Sequence, residues 1–498
     1  MADPLEVEVE SLAISEGANW KGAVHVFTIS GCPFCRRSKA YLTEKGIPYN
    51  EVDLSNGLKK HKFLIERTKC YTVPQIFFND TFIGGCDDLK GKSQDELNEL
   101  VELVKNNPIK EPEFFIIQDD QPKEEEKGFE FICEPDPLRK IATAMKKEQT
   151  GVGVKNRTWH LKTYKRVFVG QKAVLWLIEN GHAKTIEEAL NLGNEMMENH
   201  IFHHVTYDHS FKNEELFYRF LEDDKTKSLN TTEEGIVSIC EPLEPGSLAG
   251  GMRKMILQLY DAHLSADGLK VNYKGIKNDP LFAQYKQLAA ELQRIRLEDM
   301  TVNGKIAFFI NIYNSLVIHA NVVKGFPTTS WQRWRFFNKM SYRIGGHVLT
   351  LNDIESGILR GNKPPPYSWG APFSNNDPRR PIALEQGEPR IHFALVCGAK
   401  SCPPIKLYDE ENLDEQLTSS TQAFLNGDAM ILDMNKKEIS LTKIMDWYRS
   451  DFGKTDERIV MWALSFLDEE KKKNVETLLE GGCKVTFQNY DWNPNSTD

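Results

Sequence analysis

The 498-residue chain reads as a multidomain α/β and α+β protein. Its length exceeds a single core, since a prior of about 150 residues per domain gives roughly three. Near the start, the alternating apolar run from Val24 to Ile29 leads into Cys32-Pro33-Phe34-Cys35 and then a helix-forming segment, a strand-to-helix junction. Far downstream, Gly304 to His319 is apolar nearly all round and reads as the buried central helix of a mixed α/β module. The expected organisation is a flexible lead (1–20), a first domain (21–107), an acidic linker (108–130), a second domain (131–225), a third (241–455) and a tail (456–498).

In the first domain, Cys32 stands where the strand ends, and Pro33 takes the first helical position, where its missing N–H costs nothing. A helix N-terminus stabilises a thiolate through free N–H groups and the helix dipole. Arg36, Arg37 and Lys39 add positive charge within two turns. Cys32 is therefore expected to attack, with a pKa below the ~8.5 of a free thiol, and Cys35 to resolve the mixed disulfide. A zinc site would need a second ligand pair, whereas Cys70 and Cys86 are single and differently spaced, so no metal is expected. Thr72-Val73-Pro74 precedes the strand-like Gln75 to Phe78, a place where an X–Pro bond can be cis. Gly84-Gly85-Cys86-Asp87-Asp88 is a turn opening a helix, with backbone N–H groups suited to a carboxylate.

These motifs, in this order over about Gly22 to Asn106, resemble a dithiol glutaredoxin. The resemblance implies a thioredoxin-like fold, glutathione as co-substrate, and a glutathione groove lined by Thr72, Val73, Pro74, Gly85, Cys86 and Asp87. Two positions depart from the family pattern: Phe34 replaces a tyrosine, and Ile29 replaces a lysine that pairs with a glutathione carboxylate.

A net charge of −10 argues against a general nucleic-acid binder, and none is expected as partner. The acidic start lacks the basic-then-apolar order of a signal peptide, and no run reaches the ~18 consecutive apolar residues of a membrane span. Nine cysteines, an odd number in so long a chain, fit reduced thiols and a cytoplasmic protein.

The second domain orders a helix at Pro137 to Met145, two strands within Val152 to Tyr164, a helix from Gly170 and another from Thr185 to Asn199. Val174, Leu175 and Ile178 are expected on one buried face, and Thr185 with Glu188 as a cap. Phe202, Val205, Phe217 and Tyr218 suggest a closing hairpin. The cluster His200, His203, His204 and His209 lacks suitably spaced cysteine or acidic ligands, which disfavours metal. The tract Val154 to Tyr164, with Phe168-Val169-Gly170 and Val174 to Ile178, resembles a DEP domain. That resemblance implies recruitment to a membrane surface or a signalling partner, with Lys155, Arg157, Lys162, Lys165 and Arg166 as contacts for anionic lipid.

In the third domain, Asp279 to Leu297 is an amphipathic helix, and Asn311 and Asn314 inside the apolar central helix must be hydrogen-bonded to be tolerated. A hairpin turns at Gly345-Gly346. Arg390 to Val396 reads as a buried strand running into a turn that carries Cys397 and Cys402. Ala307 to Asn314 and Arg390 to Pro404 resemble the family called domain of unknown function 547, which brings architecture and no settled activity. A thiol site using Cys397 or Cys402 with His392 or His347 is one reading of this module. Against it, a five-residue offset on one strand turns His392 and Cys397 to opposite faces. The tail is expected to be helical through Leu478, then strand-like over Lys484 to Phe487, and frayed from Gln488.

The resulting expectation is a glutaredoxin-type oxidoreductase acting on protein disulfides or glutathione mixed disulfides, tethered to a DEP-type recruitment module. It would be cytoplasmic and peripheral at a membrane. The alternatives are a non-catalytic signalling adaptor or redox sensor, and a cysteine-dependent hydrolase or transferase in the C-terminal module.

Overall fold

The computed structural model describes residues 20–29, 32–54, 63–65, 67–70, 72–111, 115, 135–224, 228–231, 240–265, 270–366, 368–399 and 406–497. They fall into two compact units, one of residues 1–124 with 265–269 and one of 125–264 with 270–498.

The first unit is built on a four-stranded sheet of order β2-β1-β3-β4. Its strands are β1 (Val24–Thr28), β2 (Asn50–Asp53), β3 (Gln75–Phe78) and β4 (Thr81–Gly84). β1 runs parallel to β2 and antiparallel to β3, and β3 antiparallel to β4. Helices α1 (Pro33–Glu44), α2 (Cys86–Gly91) and α3 (Gln94–Asn106) complete it. β1 is buried on both faces: Val24 and Val26 join one core with Leu42, Ile76 and Phe78, while Phe27 joins another with Leu54, Leu64 and Phe77. This mixed sheet with its helices is a thioredoxin-like fold. Phe115 stacks on His25 and packs against Phe27 and Phe77, so the unit continues past the expected boundary at 107. The expected lead, apart from Trp20, and residues 112–114 and 116–130 of the expected linker lie outside the described residues.

The second unit begins with α4 (Pro137–Met145), strands β5 (Lys155–Trp159) and β6 (Lys162–Val169), α5 (Gly170–Glu179), α6 (Ile186–Glu198), β7 (Phe202–His204) and β8 (Phe217–Phe220). The sheet order is β5-β6-β8-β7. The α6 cap forms as expected, with Thr185 accepting from the Glu188 N–H. One face of α5 differs from expectation: Leu175 is exposed, and Ala173, Val174, Trp176 and Leu177 carry the core. The burial follows the 173/174/177 stripe, and Trp176 is drawn inward by its indole N–H bond to the Thr150 carbonyl.

The rest of this unit is organised around the 23-residue α10 (Val302–Lys324), packed against α7 (Pro245–His263), near α8 (Tyr273–Asn278) and α9 (Pro280–Glu291). By length and composition α10 could cross a membrane, but 94% of its apolar window is buried inside the protein. Asn311 exchanges two hydrogen bonds with the Tyr408 backbone, and Asn314 bonds the Ala394 carbonyl and the Val396 N–H. Those bonds to the backbone of Ala394, Val396 and Tyr408 are what make the amides tolerable in a dry helix. Downstream lie α11 (Ser330–Lys339), the hairpin β9 (Ser341–Ile344) and β10 (His347–Thr350), and a π-helical turn over Asp353–Leu359.

Three expectations fail here. The Arg390–Val396 segment is no strand: Pro389–Phe393 is a 3₁₀ turn, and the backbone beyond it bonds to the Asn314 side chain in place of a ladder. The argument that placed His392 and Cys397 on opposite strand faces therefore lapses. The segment from Gln488 is not frayed, because bridges join Ala399 to Pro494 and Val271 to Ser496. The boundary at 455 also fails, since β11 (Met430–Asp433), β12 (Glu438–Leu441) and β13 (Lys484–Phe487) form one sheet over a core shared by Leu425, Ile459, Val475 and Phe393.

Within this unit the DEP-like module is clamped to the C-terminal module by sealed charges. Arg294, fully buried, pairs with Asp136 at the cap of α4 and donates to the Cys240 carbonyl at 2.9 Å. Arg343 donates to the carbonyls of Leu221 and Asp224. Cys240 is disulfide-bonded, which corrects the expectation of reduced thiols throughout. The backbone bridge between Pro135 and Cys240 draws two distant segments together there, a local pairing that cysteine counts do not reveal.

Candidate active site

Cys32 is the N-cap of α1, and its extended backbone leads directly into Pro33 at the first helical position. Its Sγ accepts the Cys35 N–H at 3.3 Å and lies 3.8 Å from the Val73 carbonyl oxygen. The Cys35 thiol lowers the Cys32 pKa by hydrogen bonding to it; burial opposes this, and the backbone N–H groups of Cys35 and Phe34 and the charge of Lys39 assist. Burial, then the neighbouring Cys32 sulfur, push the Cys35 pKa far up. The two thiols are thus driven in opposite directions, Cys32 toward the thiolate and Cys35 away from it, the division of labour that nucleophile and resolving thiol require. Sequence reasoning found the helix end but missed that Cys35 itself is the leading donor.

The residues expected to line a groove surround this pair in part. Val73–Pro74 is a cis peptide, and the Val73 carbonyl faces Cys32. The Thr72 hydroxyl stands 3.4 Å from the Cys70 thiol. Gly85 caps α2, but its N–H is already taken by the Asp88 carboxylate at 2.7 Å, so that donor is not free as expected. Cys86 is buried, and exposed Asp87 lies 3.9 Å from the Arg37 guanidinium. Ile29 packs partly buried beside Phe27 and Phe77.

The basic residues of the second module lie on the β5–β6 hairpin. Lys155, Lys162, Lys165 and Arg166 are exposed, though Arg166 pairs with Asp223 at 2.6 Å, and Arg157 folds back onto the Gly153 carbonyl. Trp159 and the fully exposed Leu161 occupy the tip. Among the described residues no group of three His, Cys, Asp or Glu side chains could hold a metal. His204 bonds Asp208, an acidic neighbour that the sequence reading overlooked, and His203 lies 3.5 Å from Asp224.

In the C-terminal module Cys397 and His392, two residues of the expected thiol site, both border Tyr448. Cys402 lies outside the described residues. His392 is buried, stacked on Tyr448 and bonded to Asp451 at 2.9 Å; burial lowers its pKa against the pull of that carboxylate. His347 lies at the DEP-facing side against Tyr207. Cys397 Sγ stands 3.1 Å from the Tyr490 hydroxyl. Tyr313 and Tyr448, whose burial raises both pKa values, direct their hydroxyls to Glu355 within the π-helical turn. Glu355, Tyr448 and Asp451 were not singled out from sequence; the π-turn that presents Glu355 has no sequence signature to read.

A buried cysteine of lowered pKa at a strand-to-helix junction, a second cysteine of raised pKa one turn on and a cis-proline loop across from them define a thioredoxin-like dithiol module of the thiol–disulfide oxidoreductase class. Known proteins agree. Residues 24–83 match the Glutaredoxin family, 151–220 the domain found in Dishevelled, Egl-10 and Pleckstrin (DEP), and 297–425 the protein of unknown function DUF547. Glutaredoxin 3 of Escherichia coli K12 is 42% identical over 66 residues, 13% of this chain and 80% of that protein. Glutaredoxin-2 of Schizosaccharomyces pombe is 40% identical over 99 residues, 19% of this chain and 90% of that one. Through this segment the chain belongs to the glutaredoxin family. A phosphatidylinositol 3,4,5-trisphosphate-dependent Rac exchanger 1 protein of Mus musculus is 42% identical over 85 residues, 17% of this chain, and the chain spans only 5% of that exchanger's length. The solution structure of a glutaredoxin from Brucella melitensis is 36% identical, covering 18% of this chain and 95% of that one, with a TM-score of 0.16.

Proposed function

We propose that the chain is a glutathione-linked thiol–disulfide oxidoreductase of the cytosol, carried on a DEP-type recruitment module. The observation that carries this reading is the asymmetric pair: Cys32 lowered by the Cys35 hydrogen bond, Cys35 held protonated. The Cys32 thiolate attacks the glutathionyl or protein sulfur of a mixed disulfide, forming a new S–S bond and expelling the other sulfur as thiolate, which takes up a proton. A glutathione thiolate then attacks the substrate-derived sulfur bound to Cys32, forming a disulfide with it and releasing Cys32 as thiolate; alternatively Cys35, after losing its proton, attacks the Cys32 sulfur, closing a Cys32–Cys35 disulfide and expelling the bound thiol, and two glutathione molecules then reduce that disulfide and leave as glutathione disulfide. The backbone of Val73 beside Cys32 would hold the extended peptide of glutathione, with Thr72, Pro74, Gly85, Cys86 and Asp87 along the groove.

The test is glutathione-dependent reduction of a mixed-disulfide substrate by the full chain and by Cys32→Ser and Cys35→Ser variants. Loss with the first and survival with the second supports the enzyme with glutathione as resolving thiol. An inactive parent with an alkylatable Cys32 would leave the sensor or adaptor reading in its place.

For the second module, the exposed Trp159 and Leu161 at a hairpin tip flanked by Lys155, Lys162 and Lys165 favour contact with an anionic membrane surface. Vesicle binding that is unaffected by Leu161→Glu would count against that contact.

A further inference from the structure

The C-terminal module carries a second apolar and basic surface on α11, outside the DEP-like hairpin. α11 is capped firmly, with the Thr329 hydroxyl accepting from the Gln332 N–H and the Gln332 side chain returning to Thr329. Phe336 is its one buried residue, and Phe337 packs partly against the core. The other side bears Trp331 and Trp334, 63% and 59% exposed, three residues apart and so on one face. The Arg335 guanidinium lies 5.5 Å over the Trp331 ring, and Arg333 lies 4.7 Å over Trp492. Trp492 in turn clusters with Trp447 and Tyr490, widening the aromatic surface.

The charge of this surface runs against that of the protein. The chain is −10 overall, yet from Lys324 to Asn352 no aspartate or glutamate occurs, while Lys324, Arg333, Arg335, Lys339 and Arg343 do. Arg343 is spent on the DEP clamp and Arg333 on Thr328, Ser330 and Trp492, leaving Arg335 and Lys339 as exposed cations on the helix that carries the two tryptophans. Two large exposed indoles have no reason to stay in water, and exposed apolar patches of this kind mark interaction surfaces. Indole and guanidinium side chains together suit the headgroup layer of a bilayer, the ring at the acyl boundary and the cation at the phosphates.

We propose that the Trp331/Trp334 face of α11, with Arg335 and Lys339, docks on an anionic lipid surface. α11 runs straight into β9, the strand whose Arg343 donates to the Leu221 and Asp224 carbonyls of the DEP-like module. Stable attachment to a bilayer generally takes two weak signals, and α11 supplies the second.

The experiment is flotation of the full chain with phosphatidylcholine vesicles, with and without phosphatidylserine. Arg335→Gln/Lys339→Gln should lower partitioning onto the anionic vesicles about thirtyfold. Trp331→Ala/Trp334→Ala should lower it by at least about tenfold on both salt-free and salted vesicles. Leu161→Glu separates this proposal from the hairpin reading: residual binding that then disappears with the α11 substitutions supports α11, whatever the hairpin does. Binding equal to the parent in both α11 variants overturns the proposal. So does a parent that ignores phosphatidylserine vesicles and binds heparin, which would assign the face to a nucleic-acid-like polyanion. All four substituted side chains are exposed and unpaired with any carboxylate among the described residues, so the fold survives their loss.

Discussion

The two units hold charge in opposite ways. In the first, the Cys32 sulfur sits at a helix start, 6% exposed, with its pKa lowered by the Cys35 thiol, two backbone N–H groups and the charge of Lys39 against the opposing effect of burial. In the second, charges are matched and shut in. Arg294 meets Asp136, and Asp451 takes Arg360, His392 and Lys363 together, with Arg360 and Asp451 nearly inaccessible. Cys397 belongs to that second style, a thiol beside a tyrosine hydroxyl near two further tyrosines whose protons are committed to Glu355. Charge poised at a helix end is available to react, whereas charge sealed among partners fixes geometry.

The comparison breaks most visibly at the thiols. Cys32→Ser should lower glutathione-dependent turnover by at least about four orders of magnitude, as removal of a nucleophile does, while Cys397→Ser stays within about twofold. Equal losses would mean that the second unit also carries chemistry. Next comes the clamp: Arg294→Met strands the buried Asp136 carboxylate and should cost about 3–5 kcal/mol in denaturant unfolding of the full chain. Because the DEP-like module rests on that pair, its own unfolding should become separable from the C-terminal module.

Acid should then sharpen the contrast. Burial alone would raise the Asp224 pKa, but the His203 hydrogen bond and the charges of His203, Arg343 and Arg219 bring it down to about 2. A depressed carboxyl stabilises the fold fully above its unfolded value and loses that contribution as pH falls through the folded one. The unfolding free energy measured with denaturant should therefore drop between about pH 4 and pH 2, by an amount on the order of 1–2 kcal/mol after discounting partial exposure, and less steeply in Asp224→Asn.

The thiolate gives a pH effect of the other kind. Iodoacetamide should modify Cys32 with a midpoint below that of a free cysteine, and Cys35→Ala should move the midpoint up by removing the leading donor. A midpoint unmoved in Cys35→Ala would leave the helix start as the whole cause. The smallest change is Ile29→Lys, which restores an exposed ion pair to glutathione and should lower its KM by up to about fivefold.

Legibility from sequence tracked how local each feature is. Strand β1, the Pro33 helix start, the Thr185 cap and the buried α10 were all readable, because propensity, capping and periodicity act within a turn or two. The loops held by Asn311 and Asn314 were half readable: two amides in an apolar helix announce partners without naming them. What failed was fixed from far away. Arg390 to Val396 has the composition of a strand, but Asn314 captures its backbone 80 residues back in the chain. The last segment looked loose because its partners, Val271 and Ala399, are remote. Leu175 illustrates the remaining kind of miss: helical spacing fixes which residues share a face, while the neighbours decide which face turns inward.

The core around α10 has one more consequence. The stretch recognisable across families spans 297–425, yet α7 and α9 lie before it, and Phe393 inside it packs with Ile459 and Val475 beyond it. The segment that recombination could shuffle as a recognisable piece is smaller than the segment that folds. A gene fusion joined at either of those borders would inherit the signature and leave half of its interior behind.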